Sequence, residues 1–432
     1  MAVASAARNL IVVGQGAAGL AAALAAAEAA RAHSRPINVT LADKATQDEA
    51  GGNTRWSPSN MRMASTDRVE PSFVHDMLAA SNFQGDESYF ARLAKEAPAT
   101  VTWLASHGIE FIQPTYYLAK GPPRIQPAGG GPVLIKELTR GARQAGVVFL
   151  NSCVACEIAI KNDRITGLVV EQNGMRQTLA ADAIVLACGG FQGNVDMMRA
   201  HFGEGAATMR LISPGTRFNT GDGIRMAQRL GADRSGDWNG MHAEPVDARA
   251  KNSAPVVLVY PYGIVVDKNG RRFFDEGAGL VHETWEWFAR AIHFKAPGSM
   301  AYAILDSRLF EIADYQRAIR LNCRRCPLTR SPGWRNSSAW MPTISWRRLR
   351  PTMPPAWGTQ IVSTRPAATG LRPRKRCSRR SRTGRAPSAC RHSSPIRWPA
   401  RWRTHLVASQ PTTTPACCAT ARQSPASLLP AR

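Results

Sequence analysis

No Asp or Glu occurs between residues 321 and 432. That stretch holds 22 of the chain's 55 Lys and Arg, which leaves 33 bases against 31 acids in residues 1–320, so the net charge of +24 belongs almost wholly to one end of the chain. Six Trp and fifteen Pro accompany those 22 bases. Disordered arms are poor in tryptophan, and in ordinary domains about an eighth of residues are acidic, so the segment fits neither. GC-rich DNA translated out of frame yields Arg, Pro, Ser, Thr, Cys and Trp in this way, and the residues favour a frameshift between positions 315 and 322. The alternatives are a basic linker and a nucleic-acid arm built on runs such as Arg372-Pro373-Arg374-Lys375-Arg376. No nucleic-acid partner is expected.

Long apolar runs are also missing. The longest candidate, Ala17–Ala30, is alanine-rich and carries Glu28, so no membrane span is expected. The apolar run Leu10–Val13 leads straight into a glycine motif, which is not the layout of a cleavable signal. Cysteine is scarce in the first 320 residues, where Cys153, Cys156 and Cys188 cannot make a disulfide framework; a reducing compartment, the cytoplasm, is expected. Cys153-Val154-Ala155-Cys156 finds a matching pair only at Cys323 and Cys326, so it reads as strand cysteines, and no metal site is expected.

What is present begins at residue 9. Asn9–Val13 reads as a short buried parallel strand, and Gly14-Gln15-Gly16-Ala17-Ala18-Gly19 follows it into an Ala- and Leu-rich helix. The three glycines serve a tight turn, close approach of backbone to a pyrophosphate, and close packing of helix on strand, while the helix N-terminus supplies partial positive charge. A second strand, Asn38–Ala42, ends in Asp43 and Lys44, which places an acid where adenosine ribose hydroxyls would bind. The pattern implies an α/β fold with a Rossmann-like dinucleotide-binding domain. It does not separate FAD from NAD.

Three further segments add specificity. Gly51-Gly52-Asn53-Thr54-Arg55 follows Asp43; Ala183–Leu186 leads into Ala187-Cys188-Gly189-Gly190-Phe191; and Asn219-Thr220-Gly221-Asp222-Gly223 opens a helix. In this order the four segments resemble the FAD-dependent flavoproteins of the fumarate reductase and succinate dehydrogenase superfamily. The resemblance covers most of residues 9–275 and implies FAD as cofactor. The implied contacts are Gly14, Gly16, Ala17, Ala18, Gly19, Asp43, Lys44, Gly51, Gly52, Asn53, Thr54, Ala187, Cys188, Gly189, Gly190 and Asp222. Val154 belongs with them, because the strand pair Val154–Val170, turned at Asn162-Asp163, falls where relatives contact adenine.

On the substrate side, Asp237–His242 resembles the family segment whose histidine binds a substrate carboxylate, and Lys268–Glu276 has its Gly-x-Arg-Phe-x-x-Glu turn. Fumarate reductases place a general-acid arginine four residues after that glutamate; this chain has Leu280. Gly-Gly-Asn-Thr-Arg followed by Asn60-Met61-Arg62 looks most like the tricarballylate dehydrogenase branch. That likeness implies removal of two hydrogens from a small polycarboxylate, with Arg55, Arg62, Thr220, His242, His282 and Arg290 as candidate substrate contacts and a membrane-bound electron-transfer partner. A ketosteroid dehydrogenase of the same superfamily is the second enzyme reading, and an inactive product that lacks the family's closing strand is the third reading.

The family likeness bears on the tail as well. Read one base earlier, the codons of Thr352, Met353 and Pro354 must spell two residues drawn from Tyr, His, Asn and Asp and then Ala, and those of Leu321 to Arg325 permit Glu-Leu-Pro-Pro. Both strings resemble the family's continuation. The expected organisation is an FAD-binding domain over 1–235 that lacks its C-terminal return, a partial capping domain over 236–320 with an inserted α+β character, and an out-of-frame tail over 321–432 without stable fold.

Overall fold

The computed structural model describes residues 7–81, 83–114, 118, 121–250 and 253–319, together with two strands, Cys326–Leu328 and Thr404–Thr414. The N-terminal unit begins with β1 (Arg8–Val13), α1 (Ala17–Ala32) and β2 (Ile37–Ala42). Helix α2 (Gly131–Gln144) and β3 (Val148–Leu150) follow after a helical excursion, then β4 (Cys153–Lys161), β5 (Arg164–Gln172), β6 (Met175–Ala180) and β7 (Ala183–Leu186). Strands β7, β1, β2 and β3 form a parallel sheet in that order, while β6, β5 and β4 form an antiparallel one.

Side-chain alternation along β1 explains the layering. Leu10 and Val12 face Leu20, Leu24, Leu134 and Leu138 on α1 and α2, whereas Ile11 and Val13 face Leu168 and Val170 of the antiparallel sheet. A strand covered on both sides must be apolar at every position, which is why the sequence reads as a continuous run rather than an alternating one. Asn162 and Asp163 take φ of 51° and 55° between β4 and β5, the left-handed pair that a two-residue hairpin of type I′ requires.

The cap begins beyond β8 (Arg210–Leu211) and α3 (Asp222–Arg229). It contains β9 (His242–Asp247), β10 (Gly263–Asp267), α4 (Val281–Lys295) and β11 (Ala301–Leu305). Its core joins Val257, Val259, Tyr260, Val265, Phe288, Ile292 and Leu305. Tyr260 is fully buried, and its hydroxyl is satisfied by the Thr284 hydroxyl at 2.6 Å.

Two strands in the acid-free segment belong to this cap sheet. β12 (Cys326–Leu328) pairs with β13 (Thr404–Thr414), and β13 also pairs with β11, β9 and β8. The eleven residues of β13 fall within 321–432, the segment for which no stable fold is expected. The composition of β13 is compatible with a strand: Thr404, Val407 and Thr412-Thr413-Thr414 are strand-favouring types, and β11 needs a partner on the side away from β10. No helix among the described residues is long and apolar enough to cross a membrane.

Two glycines set the spacing of strand and helix. Gly14 holds φ of +109°, and a Cβ on it would lie 2.3 Å from the carbonyl oxygen of Ala187; a Cβ on Gly19 would lie 1.7 Å from that of Gly14. Gly19→Ala must therefore push α1 off β1. The expected loss is ~1–3 kcal/mol, the usual cost of over-packing. Urea unfolding reads it as a lower midpoint, and an unchanged midpoint would refute the close approach.

Candidate functional site

A cleft of about 830 Å³ runs along the C-terminal ends of β1, β2 and β7, at the N-terminus of α1. Among its walls are Gly14, Gly16, Ala17, Ala18, Asp43, Lys44, Gly52, Asn53, Thr54, Ala187, Cys188, Gly189, Gly190 and Asp222. Gly19 and Gly51 stand behind that lining, Gly19 against Gly14 and Gly51 against Ile135 and Arg55. Val154 lies on the outer face of β4, 40% exposed, while its neighbours Cys153 and Ala155 line the cleft. The strand's period of two makes that assignment for side chains.

The cleft's acidic end is built from backbone amides. Asp43 accepts from the Gln15 N–H at 2.6 Å and the Ala45 N–H at 2.7 Å. Burial raises its carboxyl above the ordinary range, and the two amides and the Lys44 charge offset only part of that effect. Lys44 donates to Thr220 and, at 2.7 Å, to Asp222, which also receives Arg225 at 2.5 Å. Burial pulls the Asp222 carboxyl upward, but the Lys44 hydrogen bond and charge prevail and hold it below its ordinary value. Burial first, then the Asp222 and Asp43 carboxylates, push the Cys188 thiol up to about 12. A thiol in that state is not a nucleophile at neutral pH.

The middle of the cleft is fixed by contacts that span the chain. The Thr54 hydroxyl accepts from the Ala17 N–H at 3.3 Å, at the first turn of α1. Asn53 Oδ1 accepts from the Ser213 hydroxyl at 3.0 Å and the Thr216 hydroxyl at 2.7 Å, and both of these residues are buried. A Cβ on Gly52 would meet nothing within 4 Å, and one on Gly16 nothing closer than 3.7 Å, so the backbone there leaves a cradle open to a ligand. Sequence reading missed Gln15, Gln192, Asn219 and Trp238 as lining residues. Gln15, Asn219 and Trp238 lie inside the quoted motifs and were within reach of it; Gln192 carries no local signal.

The six candidate substrate residues part company. Thr220 is in the Lys44–Asp222 network. His242 and His282 flank one ring, Trp285, at centroid distances of 6.0 and 5.5 Å. Arg55 donates to the carbonyls of Asp48 and Ala50 and faces a separate groove beside α2. Arg62 pairs with Asp76, and Arg290 lines a groove on the outer side of α4. Glu276 of the Gly-x-Arg-Phe-x-x-Glu turn is buried, accepting from the Val265 N–H at 2.6 Å and pairing with Arg272; here it holds the turn together.

His242 has carboxylates on both sides, Glu286 at 3.4 Å and Glu244 at 3.7 Å. Burial works against the charged ring, yet the two carboxylates overcome it and raise its pKa to about 9.

Residues 9–313 match the family model of an FAD binding domain. The chain belongs to this FAD-binding family, within the fumarate reductase and succinate dehydrogenase flavoprotein superfamily. It is 29% identical over 330 residues to the probable fumarate reductase Ifc3 of Shewanella frigidimarina, covering 72% of this chain and 52% of that protein. It is 27% identical over 197 residues to a 3-oxosteroid 1-dehydrogenase of Mycobacterium tuberculosis, covering 42% and 33%. Among solved structures, the open conformation of a flavocytochrome c3 fumarate reductase aligns at a TM-score of 0.65 with 21% identity, over 95% of this chain and 67% of that one. A 3-ketosteroid-delta4-(5alpha)-dehydrogenase from Rhodococcus jostii RHA1 aligns at 0.55 with 22% identity, over 72% and 69%. The chain spans about half the length of the first of these curated relatives. FAD is the cofactor; the Gly16–Gly52 cradle and the amide-bound Asp43 suit its pyrophosphate and its adenosine ribose.

Asp43→Ala should weaken FAD binding by about 10–100-fold, the equivalent of the ~1.5–3 kcal/mol of hydrogen bonds to a charged group. Flavin-fluorescence titration measures this, and an unchanged Kd would place the ribose elsewhere. The His242 pair sets a pH dependence. Because its pKa is raised on folding, its contribution is complete below the unfolded value of ~6.5 and is lost as pH rises through about 9. The stability gap between wild type and His242→Gln should narrow over that window; a gap constant with pH would remove the ion-pair assignment.

Proposed function

We propose that the chain is an FAD-dependent oxidoreductase that removes two hydrogens across a C–C bond of a small polycarboxylate, a reaction of the tricarballylate to cis-aconitate type. The observation that carries the redox part is the glycine cleft closed by Asp43. Bound there, FAD supplies a hydride acceptor at its N5. His242 and His282 flank Trp285, and the positive charge of Arg124 beside His282, whose pKa burial first and then that charge hold below the ordinary value, favours an anionic substrate. Glu286 and Glu244 keep His242 protonated and face both of its ring nitrogens, so a substrate carboxylate binds this ring only by displacing one of them. Leu280 can neither give nor take a proton, so the general-acid arginine of fumarate reductases has no counterpart at this position in either direction of the reaction.

A ketosteroid substrate is the second reading, favoured by the apolar Leu280 and Trp285 near those histidines. Under either reading electrons leave to a separate carrier, and the resemblance implies a membrane-bound one. We read the acid-free tail as translated out of frame, on its composition and permitted neighbouring strings.

FAD-loaded protein assayed anaerobically with a redox dye separates the substrates. Dye reduction with tricarballylate and none with a 3-ketosteroid is the expected result; the reverse would replace the polycarboxylate, and inactivity with both after restoring the frame would reject the reading. Resequencing codons 310–330 tests the tail, since acidic family sequence in the next frame supports the frameshift and its absence in both other frames overturns it.

A further inference from the structure

We propose that the groove on the outer side of α4 docks an acidic one-electron carrier protein, and that His201, Phe191 and Trp238 link this groove to the cofactor cleft. The inference rests on the FAD reading but not on the choice of substrate.

The groove, about 540 Å³, is lined by His201, Met241, Trp287, Arg290, Phe294 and Lys295 among others. Trp287, Arg290 and Phe294 are three and four residues apart on α4 and so share one face. Trp287 is 63% exposed and Phe294 42%. Large aromatics left in water beside an arginine and a methionine are the residue types that anchor protein interfaces. Among the described residues no carboxylate lines the groove, and Arg290 and Lys295 give it positive charge. Charge complementarity therefore calls for a partner with an acidic rim.

What marks that partner as an electron carrier is the chain of rings behind the groove. Trp238 lines the cofactor cleft. Its ring stacks on Phe191 with centroids 5.8 Å apart and planes 10° from parallel, and its centroid is 5.1 Å from that of His201. His201 is 5.2 Å from Phe191 and lines the groove itself. Phe191 is 1% exposed, so the linkage crosses packed protein rather than solvent. The two electrons held on the reduced cofactor pass singly to two carrier molecules, and its two protons go to water.

The test uses FAD-loaded protein photoreduced with EDTA as the electron donor and without any substrate, so that an error in the substrate cannot affect it. It is mixed anaerobically with the oxidised soluble domain of cytochrome b5, an acidic haem protein, and separately with a neutral quinone. Wild type should reduce the haem at a rate that falls steeply with salt. Trp287→Ala combined with Lys295→Glu should slow haem reduction about tenfold or more and leave the quinone rate unchanged. His201→Leu should slow haem reduction while keeping its salt dependence. Haem reduction at the wild-type rate in the double variant would overturn the docking site, as would an equal slowing with quinone. A wild-type His201→Leu rate would overturn the ring linkage.

Discussion

The cleft depends on how closely α1 comes to the end of β1. That approach is possible because Gly14 and Gly19 have no side chains: a methyl on either would overlap backbone oxygen. Once the helix is seated, its first-turn amides point into the space beyond the strand, and the Gln15 amide reaches back to Asp43 at the end of β2. The aligned peptide dipoles then favour an anion at the same spot. A single packing distance thus sets the anion cradle and orients the acid next to it.

The loop that closes the cradle is held from three directions. Thr54 is tied to α1, a Cβ on Gly131 at the start of α2 would lie 1.7 Å from the Thr54 carbonyl oxygen, and Asn53 accepts two buried hydroxyls from the segment before α3. Each tie comes from a different part of the chain, so the loop is rigid only in the assembled domain. Lys44 extends the same principle, since its charge bridges the end of β2 and the start of α3 through Asp222. Opposite charges held this way keep the half-buried Asp222 carboxyl below its ordinary pKa although burial pulls it upward.

In the cap the balance of forces differs. Its core is apolar and aromatic, and its polar groups are satisfied inside the fold: Tyr260 by Thr284, Glu276 by Val265 and Arg272, His242 by two carboxylates. The glutamate of the Lys268–Glu276 turn is structural, because the turn needs an acceptor for the buried Val265 amide.

Strand, glycine turn, helix and acid were all legible in residues 9–43, because each is decided by neighbours a few positions away: steric limits at Gly14, dipole alignment in α1, alternation in β1. The Asn162-Asp163 hairpin was legible for the same reason. The family's glycine segments extended this to fourteen of the residues that line the cleft. Side-chain destinations were not legible. Arg55, Arg62 and Arg290 carry identical charge in the sequence, yet backbone carbonyls, Asp76 and an outer groove claim them separately. Ser213 and Thr216 gave no sign of gripping Asn53 from 160 and 163 residues away, and Thr404–Thr414 none of pairing with β11. Local conformation follows from a residue's own stereochemistry; which partner a charge, hydroxyl or strand edge meets is decided only when distant segments pack, because burial then removes the competing water.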